Sequence, residues 1–317
     1  MKLLFFVLLC LNLSDAFSQD TSYFDRSGVL TNIADSVKYV RIITKEANAK
    51  QFNVEEFYRN GKRKLTAKTN SSSLKLRLEG PCIEFFESGA RKTISNYKDG
   101  RKTGDCFEYY PQGKLFLHKI YQKASSDSDS TNYIIQEAYD ANGTELVTAG
   151  NGVMAFYNNT FDYALEHGSI KNGKRDGEWT GEDKDHRVSF VEIYKDGELT
   201  TATSMQNNIK YTYSKNRYES PNFVGGEKKY GNFLSKTIRY PAYERENGIS
   251  GRAIVGFTVG IDGSIGNIAI LGSVSPGFSN GAQRIMMLSP NWKPATLYGV
   301  PVQAYYSIPI NFAVSGQ

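Results

Sequence analysis

Short apolar segments alternate with glycine-containing turns from about residue 50 to residue 215, which indicates a β-rich chain. Asn-Gly or Asp-Gly pairs occur at residues 60–61, 99–100, 142–143, 172–173 and 196–197. Such pairs between alternating apolar residues are the strongest short-range signal for a β-hairpin, because both turn positions favour positive φ. Gly89, Gly100 and Gly113 are separated by 11 and 13 residues, which gives a unit of about 24 residues. We therefore predict stacked β-hairpins over residues 51–215.

The two most complete copies of this unit lie at residues 98–106 and 171–179. Both contain Lys, Asp-Gly or Asn-Gly, a basic pair, one further residue and Gly. The pattern resembles the MORN-like variant repeats of exported bacterial proteins. The aromatic residues of the repeats form either the core of a long meander or a face that binds a ligand or protein, and the sequence leaves both alternatives open. These aromatic residues are Tyr58, Phe86, Tyr97, Phe107, Tyr110, Trp179 and Tyr194.

From residue 220 onward the pattern changes to helix, strand, strand, helix and strand. Apolar residues at helical spacing predict a first helix over 227–237 and a second helix around Phe278–Met286. Alternation predicts strands over 252–260 and 265–271, joined by an Asp262-Gly263 turn. A last strand has Val302, Ala304, Tyr306, Ile308, Ile310 and Phe312 on its buried face. We predict an α+β domain, with both helices on one face of a three-stranded antiparallel sheet.

Five separated motifs in this region occur in a recognisable order. They are Tyr240-Pro241, Gly251, Asp262-Gly263, Trp292-Lys293-Pro294 and the segment from Ile308 to Phe312. Together they resemble the TonB C-terminal domain, the periplasmic module that docks onto outer-membrane transporters. The resemblance covers roughly residues 220–315, nearly the whole domain. Trp292 is expected to fill the core between the second helix and the last strand.

Pro309 lies inside the predicted last strand. A proline cannot donate to a strand ladder, so it belongs on an edge with its missing donor directed outward. Alternate backbone groups would then also point outward, leaving an edge for strand addition by an extended peptide, unless Pro309 merely shields that edge. The resemblance adds the segment before Tyr-Pro as a second part of the site. The candidate partner-binding residues are Thr237, Ile238, Arg239, Gln303, Tyr305, Ser307 and Asn311.

The first 18 residues indicate the compartment. Lys2, an apolar run from Leu3 to Leu13 and the small residues at 16 and 18 predict a signal peptide cleaved after Ser18. The apolar run is shorter than the roughly 20 residues of a membrane-spanning helix. We expect an exported protein, periplasmic or attached to the cell envelope, with an N-terminal segment at 19–50 before the repeats.

The two cysteines in the repeats would form a disulfide by default in an oxidising compartment. Cys82 and Cys106 follow equivalent glycines one hairpin apart, which places them two strands apart, about 9–10 Å across the sheet. A disulfide requires Cα atoms within about 7 Å. We therefore predict two free thiols.

No catalytic, metal-binding or nucleotide-binding motif is present, and the three histidines are scattered without ligand spacing. We expect no enzyme activity, cofactor, metal or small-molecule substrate. The net charge of +5 is spread along the chain, so no nucleic-acid partner is indicated.

Three functions are compatible with these patterns. The first is a TonB-like adaptor that binds an outer-membrane transporter or another envelope protein, and a homodimer through the last strand is also possible. The second is a structural or interaction protein that works through the repeat surface. The third is a full energy transducer, although nine prolines and a cleavable signal differ from the anchor and proline-rich spacer of that family.

Overall fold

The computed structural model describes residues 18–45, 49–122, 132–214 and 216–313, and these are rich in strands. Residues 1–17 of the predicted signal peptide lie outside them. Two compact units are present: the chain up to Trp179 with Tyr194–Glu198, and Thr180–Ile193 with the chain from Leu199 onward. The domain boundary at 215–220 stays a prediction. None of the helices described combines the length and apolar character that a membrane span requires.

Sixteen strands form one sheet in which each strand lies beside its neighbours in sequence, as the hairpin pattern predicts. They are β1 (Ser18–Phe24), β2 (Tyr39–Lys45), β3 (Phe52–Tyr58), β4 (Arg63–Thr69), β5 (Gly80–Phe85), β6 (Arg91–Lys98), β7 (Arg101–Tyr109), β8 (Leu115–Tyr121), β9 (Tyr133–Tyr139), β10 (Glu145–Thr148), β11 (Asn151–Tyr157), β12 (Ala164–Lys171), β13 (Lys174–Asp183), β14 (Val188–Lys195), β15 (Glu198–Gln206) and β16 (Ile209–Tyr213). A 3-10 turn at Ala34–Ser36 lies in the connection between β1 and β2.

In the C-terminal region, the described residues 216–313 form three helices and eight further strands. They are β17 (Tyr218–Glu219), β18 (Asn222–Phe223), α1 (Gly226–Thr237), α2 (Ala242–Glu246), β19 (Gly251–Val259), β20 (Ile265–Ser273), α3 (Pro276–Met287), β21 (Trp292–Lys293), β22 (Ala295–Leu297), β23 (Val300–Val302) and β24 (Ala304–Phe312). The predicted order of helix, strand, strand, helix and strand is confirmed by α1, β19, β20, α3 and β24. The short helix α2 and the short strands were not predicted.

The hairpin turns explain the regular spacing of Asp-Gly and Asn-Gly. Asp99, Asn172 and Asp196 have φ of 54°, 50° and 52°, and the glycine after each also has positive φ, as a two-residue type I′ turn requires. At Asn60-Gly61 only the glycine has positive φ, and the register of β3 with β4 shifts nearby. The connection between β3 and β4 is therefore a longer turn with a β-bulge, instead of the predicted two-residue turn.

Repeated contacts join successive hairpins of the first unit. The Tyr58 hydroxyl donates to the Phe85 carbonyl at 2.7 Å, and the Tyr110 hydroxyl donates to the Tyr139 carbonyl at 2.9 Å. Each bond satisfies a polar group at the end of a hairpin, so the aromatic ring can be buried without losing a hydrogen bond. Assignment to the MORN-like repeats stays a prediction.

Several repeat aromatics belong to the core, the first of the two alternatives left open by the sequence. Tyr110 and Trp179 are buried in one cluster, and Tyr97 packs against another. The Trp179 indole lies over Gly168, where a Cβ would come within 2.5 Å of the ring. Gly168 therefore provides the space for the largest side chain of this cluster.

The buried face of the meander also contains paired charges. Glu56 is almost fully buried and forms ion pairs with Arg41, at 2.7 Å, and with Lys64. Glu166 forms a bidentate pair with Arg175, whose guanidinium lies 4.3 Å from the Trp179 ring centroid. A buried carboxylate requires such partners, because an unpaired charge is costly in a low-dielectric interior.

Cys82 and Cys106 are both buried and unpaired, as predicted. Ser95 of β6 lies opposite Cys82 on one side and opposite Cys106 on the other, so a complete strand separates the two thiols. Burial raises the pKa of the Cys82 thiol to about 12, and burial also raises that of Cys106.

Because both thiols are buried and protonated at neutral pH, we expect neither to react with iodoacetamide in the folded protein. Intact-mass measurement should show no adduct before denaturation and two adducts on the mature chain afterwards. A mass two daltons low in the untreated protein, or rapid labelling in the native state, would contradict this arrangement.

Candidate docking edge

The three-stranded sheet of the C-terminal region has the order β20-β19-β24, so β24 is an edge strand. It pairs with β19 in an unbroken antiparallel register from Gly251 opposite Phe312 to Val259 opposite Ala304. The nine residues of β24 carry no charged side chain. Edge strands are commonly protected by charges, so this edge is unusually compatible with pairing to another chain.

The buried side chains of β24 set its orientation. Ile308, Ile310 and Phe312 are buried with β19, α3 and Trp292 in one core, and Tyr306 packs against it. Each buried residue of this kind contributes about 1.5–3 kcal/mol. A register slip of one residue would expose them all, a far larger cost than one net hydrogen bond of about 0.5–1.5 kcal/mol. Burial therefore fixes the register of β24.

Trp292 has the core position predicted for it. Its ring centroid lies 5.1 Å from Phe257 and 6.1 Å from Tyr306, and its indole N–H donates to the Ser289 hydroxyl at 3.0 Å. Its backbone N–H donates to Gly263 at 2.8 Å, at the turn between β19 and β20. Trp292 thus connects this turn to β24.

Residues of β24 that alternate with the buried ones face solvent. Tyr305, Ser307, Pro309 and Asn311 are all exposed. In an antiparallel ladder, alternate residues direct both backbone groups toward the same neighbouring strand. Pro309 lies opposite Ile254 with no shift in register, which is compatible with its missing N–H being on the outer side. We call these four residues the docking edge.

The ring of Tyr305 crosses the sheet instead of covering the docking edge. A Cβ at Gly256, on the central strand, would lie 1.7 Å from the Tyr305 hydroxyl and 3.1 Å from the Leu271 side chain of β20. The missing side chain of Gly256 therefore gives the ring its space. Tyr305 remains 59% exposed.

Thr237, Ile238 and Arg239 lie at the end of α1. The Thr237 carbonyl accepts a bond from the Arg284 guanidinium at 2.6 Å, and the Ile238 N–H donates to Leu234 at 2.8 Å. Two of the backbone groups of this segment are therefore already used within the domain. Arg239 is exposed.

The two parts of the predicted site approach each other only at one end of β24. Tyr240 follows the 237–239 segment, and its ring lies 6.3 Å from that of Phe312, beside Asn311. Tyr305 is about 20 Å further along the strand, at about 3.4 Å per residue. Gln303 precedes β24, and Val302 belongs to β23 instead of the last strand, which corrects its predicted position.

The second unit contains a hairpin of β22 and β23 that the sequence patterns did not predict. Tyr298 and Gly299 form its turn with φ of 52° and 78°. The Tyr298 ring stacks on Phe190 of β14 with centroids 4.9 Å apart, and the Ser204 hydroxyl of β15 donates to its carbonyl at 2.6 Å. This hairpin connects the last strands of the meander to the C-terminal region. Of the two turn residues, Gly299 is the one that a sequence pattern could have indicated as a turn position.

A buried ion pair accompanies this hairpin. Glu192 is fully buried and accepts two bonds from the Arg217 guanidinium, at 2.8 and 2.6 Å, and one from the Tyr213 hydroxyl at 2.7 Å. Burial and the bond to Glu192 raise the pKa of Tyr213. The Arg217 guanidinium also lies 4.5 Å from the Phe190 ring centroid. Neutralising the carboxylate in this way permits its burial.

Residues 236–314 match the family model of the Gram-negative bacterial TonB protein C-terminal region. The C-terminal unit carries a TonB C-terminal domain. The match includes α3, β19, β20 and β24, and therefore the whole docking edge. TonB C-terminal domains belong to envelope proteins that act in docking and energy transduction. No curated protein matches this chain.

Within the residues that the structure describes, no group of three or more His, Cys, Asp or Glu side chains is arranged to hold a metal ion. The docking edge offers backbone hydrogen bonding, the polar side chains of Tyr305, Ser307 and Asn311, and apolar contact.

Glu244 anchors α2 to the start of α3 in the same domain. Its buried carboxylate accepts a bond from the Ser275 hydroxyl at 2.6 Å, and the Ser275 oxygen caps α3 by accepting from the Phe278 N–H at 3.2 Å. The Ser275 hydrogen bond is the main reason that the pKa of Glu244 is lowered, with a smaller contribution from Gly277. A carboxylate at a helix N-terminus is also favoured by the helix dipole.

We expect Glu244→Gln to lower the melting temperature of the C-terminal unit at pH 7. A lowered pKa means that the ionised carboxylate stabilises the fold above the unfolded pKa of about 4.3, and that this is lost as pH falls through the folded pKa. The difference from wild type should therefore shrink below about pH 4. Thermal unfolding would be measured by near-ultraviolet circular dichroism at each pH. Glu246→Gln is the matched control, because Glu246 is exposed. A difference independent of pH would contradict this role.

Proposed function

We propose that this protein is an exported docking protein of the cell envelope. Its TonB C-terminal domain binds an extended segment of an outer-membrane transporter, or of another envelope protein, by adding that segment to β24. The observation that carries the proposal is the charge-free edge of β24 within a matched TonB C-terminal domain.

Strand addition agrees with the contacts around the edge. The apolar side chains of β24 are used in the core, which holds the strand in place before a partner arrives. The Tyr305 ring lies against Gly256 of the central strand, on the side away from an incoming strand. An incoming strand would gain its affinity from main-chain hydrogen bonds and its specificity from side chains near Tyr305 and Ser307.

The contributions of the seven candidate residues differ in this proposal. Tyr305, Ser307 and Asn311 provide outward backbone groups. The other four candidates lie beyond the two ends of the Tyr305–Asn311 part of β24 and would contact the flanks of the bound segment. They are Gln303 at one end and Thr237, Ile238 and Arg239 at the other. Cleavage of the signal after Ser18 and a periplasmic location belong to the same proposal.

Replacing Ser307 by proline tests backbone recognition at the docking edge. The Ser307 N–H points outward in this proposal, so its removal should leave the melting temperature nearly unchanged. An incoming strand would lose a donor and meet the proline ring, which should weaken binding about tenfold or more. Ser307→Ala keeps the N–H and should bind within about twofold of wild type.

The probe is a linear heptapeptide from a random display library. It is selected for binding to the mature wild-type chain after the peptides that bind the S307P variant have been removed from the library. Fluorescence polarisation then gives its affinity for wild type, S307P and S307A. Failure to recover any peptide that distinguishes wild type from S307P would contradict the proposal. A monomer-to-dimer change in sedimentation without peptide binding would instead indicate that a second copy occupies the edge.

A further inference from the structure

The docking edge contains an internal interruption at Pro309. The residues on either side of it, Ile308 and Ile310, are buried and remain in register with Val255 and Ala253. The strand therefore continues through the proline without a bulge. Pro309 has an outward carbonyl but no N–H, so the sequence of outward donors along β24 is broken at this one position.

The interruption divides the edge into unequal parts. Tyr305 and Ser307 are consecutive outward residues, and each has both a donor and an acceptor. Asn311 lies beyond the proline, near the end of β24 at Phe312. A bound strand could form consecutive complete hydrogen-bonded pairs only along the Tyr305–Ser307 part. The residue of the bound strand that lies opposite Pro309 would have a carbonyl with no N–H to accept from.

The side chains on the solvent-facing side of β24 also distinguish the part around Ser307. Ser307 is small and lies between Tyr305 and Pro309 on the same face of β24. Directly opposite and diagonal side chains interact across paired strands. A residue opposite Ser307 would therefore lie diagonal to the Pro309 ring, which favours an apolar side chain, while the Tyr305 ring extends the other way, over Gly256.

We propose that Pro309 determines the register and limits the affinity of the bound segment. It restricts complete pairing to a short extended peptide centred on Ser307, with an apolar residue opposite that serine. The same missing donor prevents a complete nine-residue pairing of this uncharged edge with a second copy. This inference rests on the proposed function, because it concerns the same edge.

Replacing Pro309 by alanine or valine tests the inference, because both residues restore the N–H with different side chains. One additional net hydrogen bond should tighten binding of the selected heptapeptide by about two- to tenfold in both variants. Pro301→Ala is the matched control, since Pro301 is an exposed strand proline in β23, away from the docking edge. Its affinity should equal that of wild type.

Fluorescence polarisation would be measured at a protein concentration at which sedimentation shows monomers. Unchanged or weaker binding by P309A and P309V, with S307P still defective, would overturn the role of Pro309 and leave the proposed function standing. A gain by P309V alone would assign the effect to side-chain packing and would also overturn it. Absence of any peptide that distinguishes wild type from S307P would overturn both proposals.

Discussion

The position of every residue in β24 follows from one constraint, the burial of its alternate apolar side chains. Because side-chain face and backbone direction alternate with the same period of two, burying Ile308, Ile310 and Phe312 also determines which backbone groups face β19. The remaining groups have no strand beside them among the residues described. The docking edge is therefore a consequence of core packing.

Much of this domain could be predicted from sequence because its signals are local. Helix α1 has apolar residues at helical spacing, Asp262-Gly263 marks a turn, and the alternation from Ala304 to Phe312 identifies the buried face of β24. Pro309 also predicts an edge from sequence alone, since few strand positions tolerate proline. In each case one short segment carries the complete physical reason.

The parts that could not be predicted depend on contacts between distant segments. The hairpin of β22 and β23 turns at Tyr298, and a tyrosine with positive φ is not a recognisable turn signal. Its position follows from stacking on Phe190, more than 100 residues earlier, and from the bond to Ser204. Pairing of Arg217 with Glu192 is also invisible in sequence, because neither residue lies in a motif. The bond from the Arg284 guanidinium to the Thr237 carbonyl likewise joins distant segments and could not be predicted.

In the free protein, alternate backbone groups of β24 have no strand to pair with in the part of the chain that the structure describes. Hydrogen exchange measured residue by residue by nuclear magnetic resonance tests it without any ligand. We expect fast exchange for the amides of Tyr305, Ser307 and Asn311, and exchange slower by orders of magnitude for Tyr306, Ile308 and Ile310. Equal protection of both sets of amides would show that the edge is already covered, and β24 would then not be free to accept a strand.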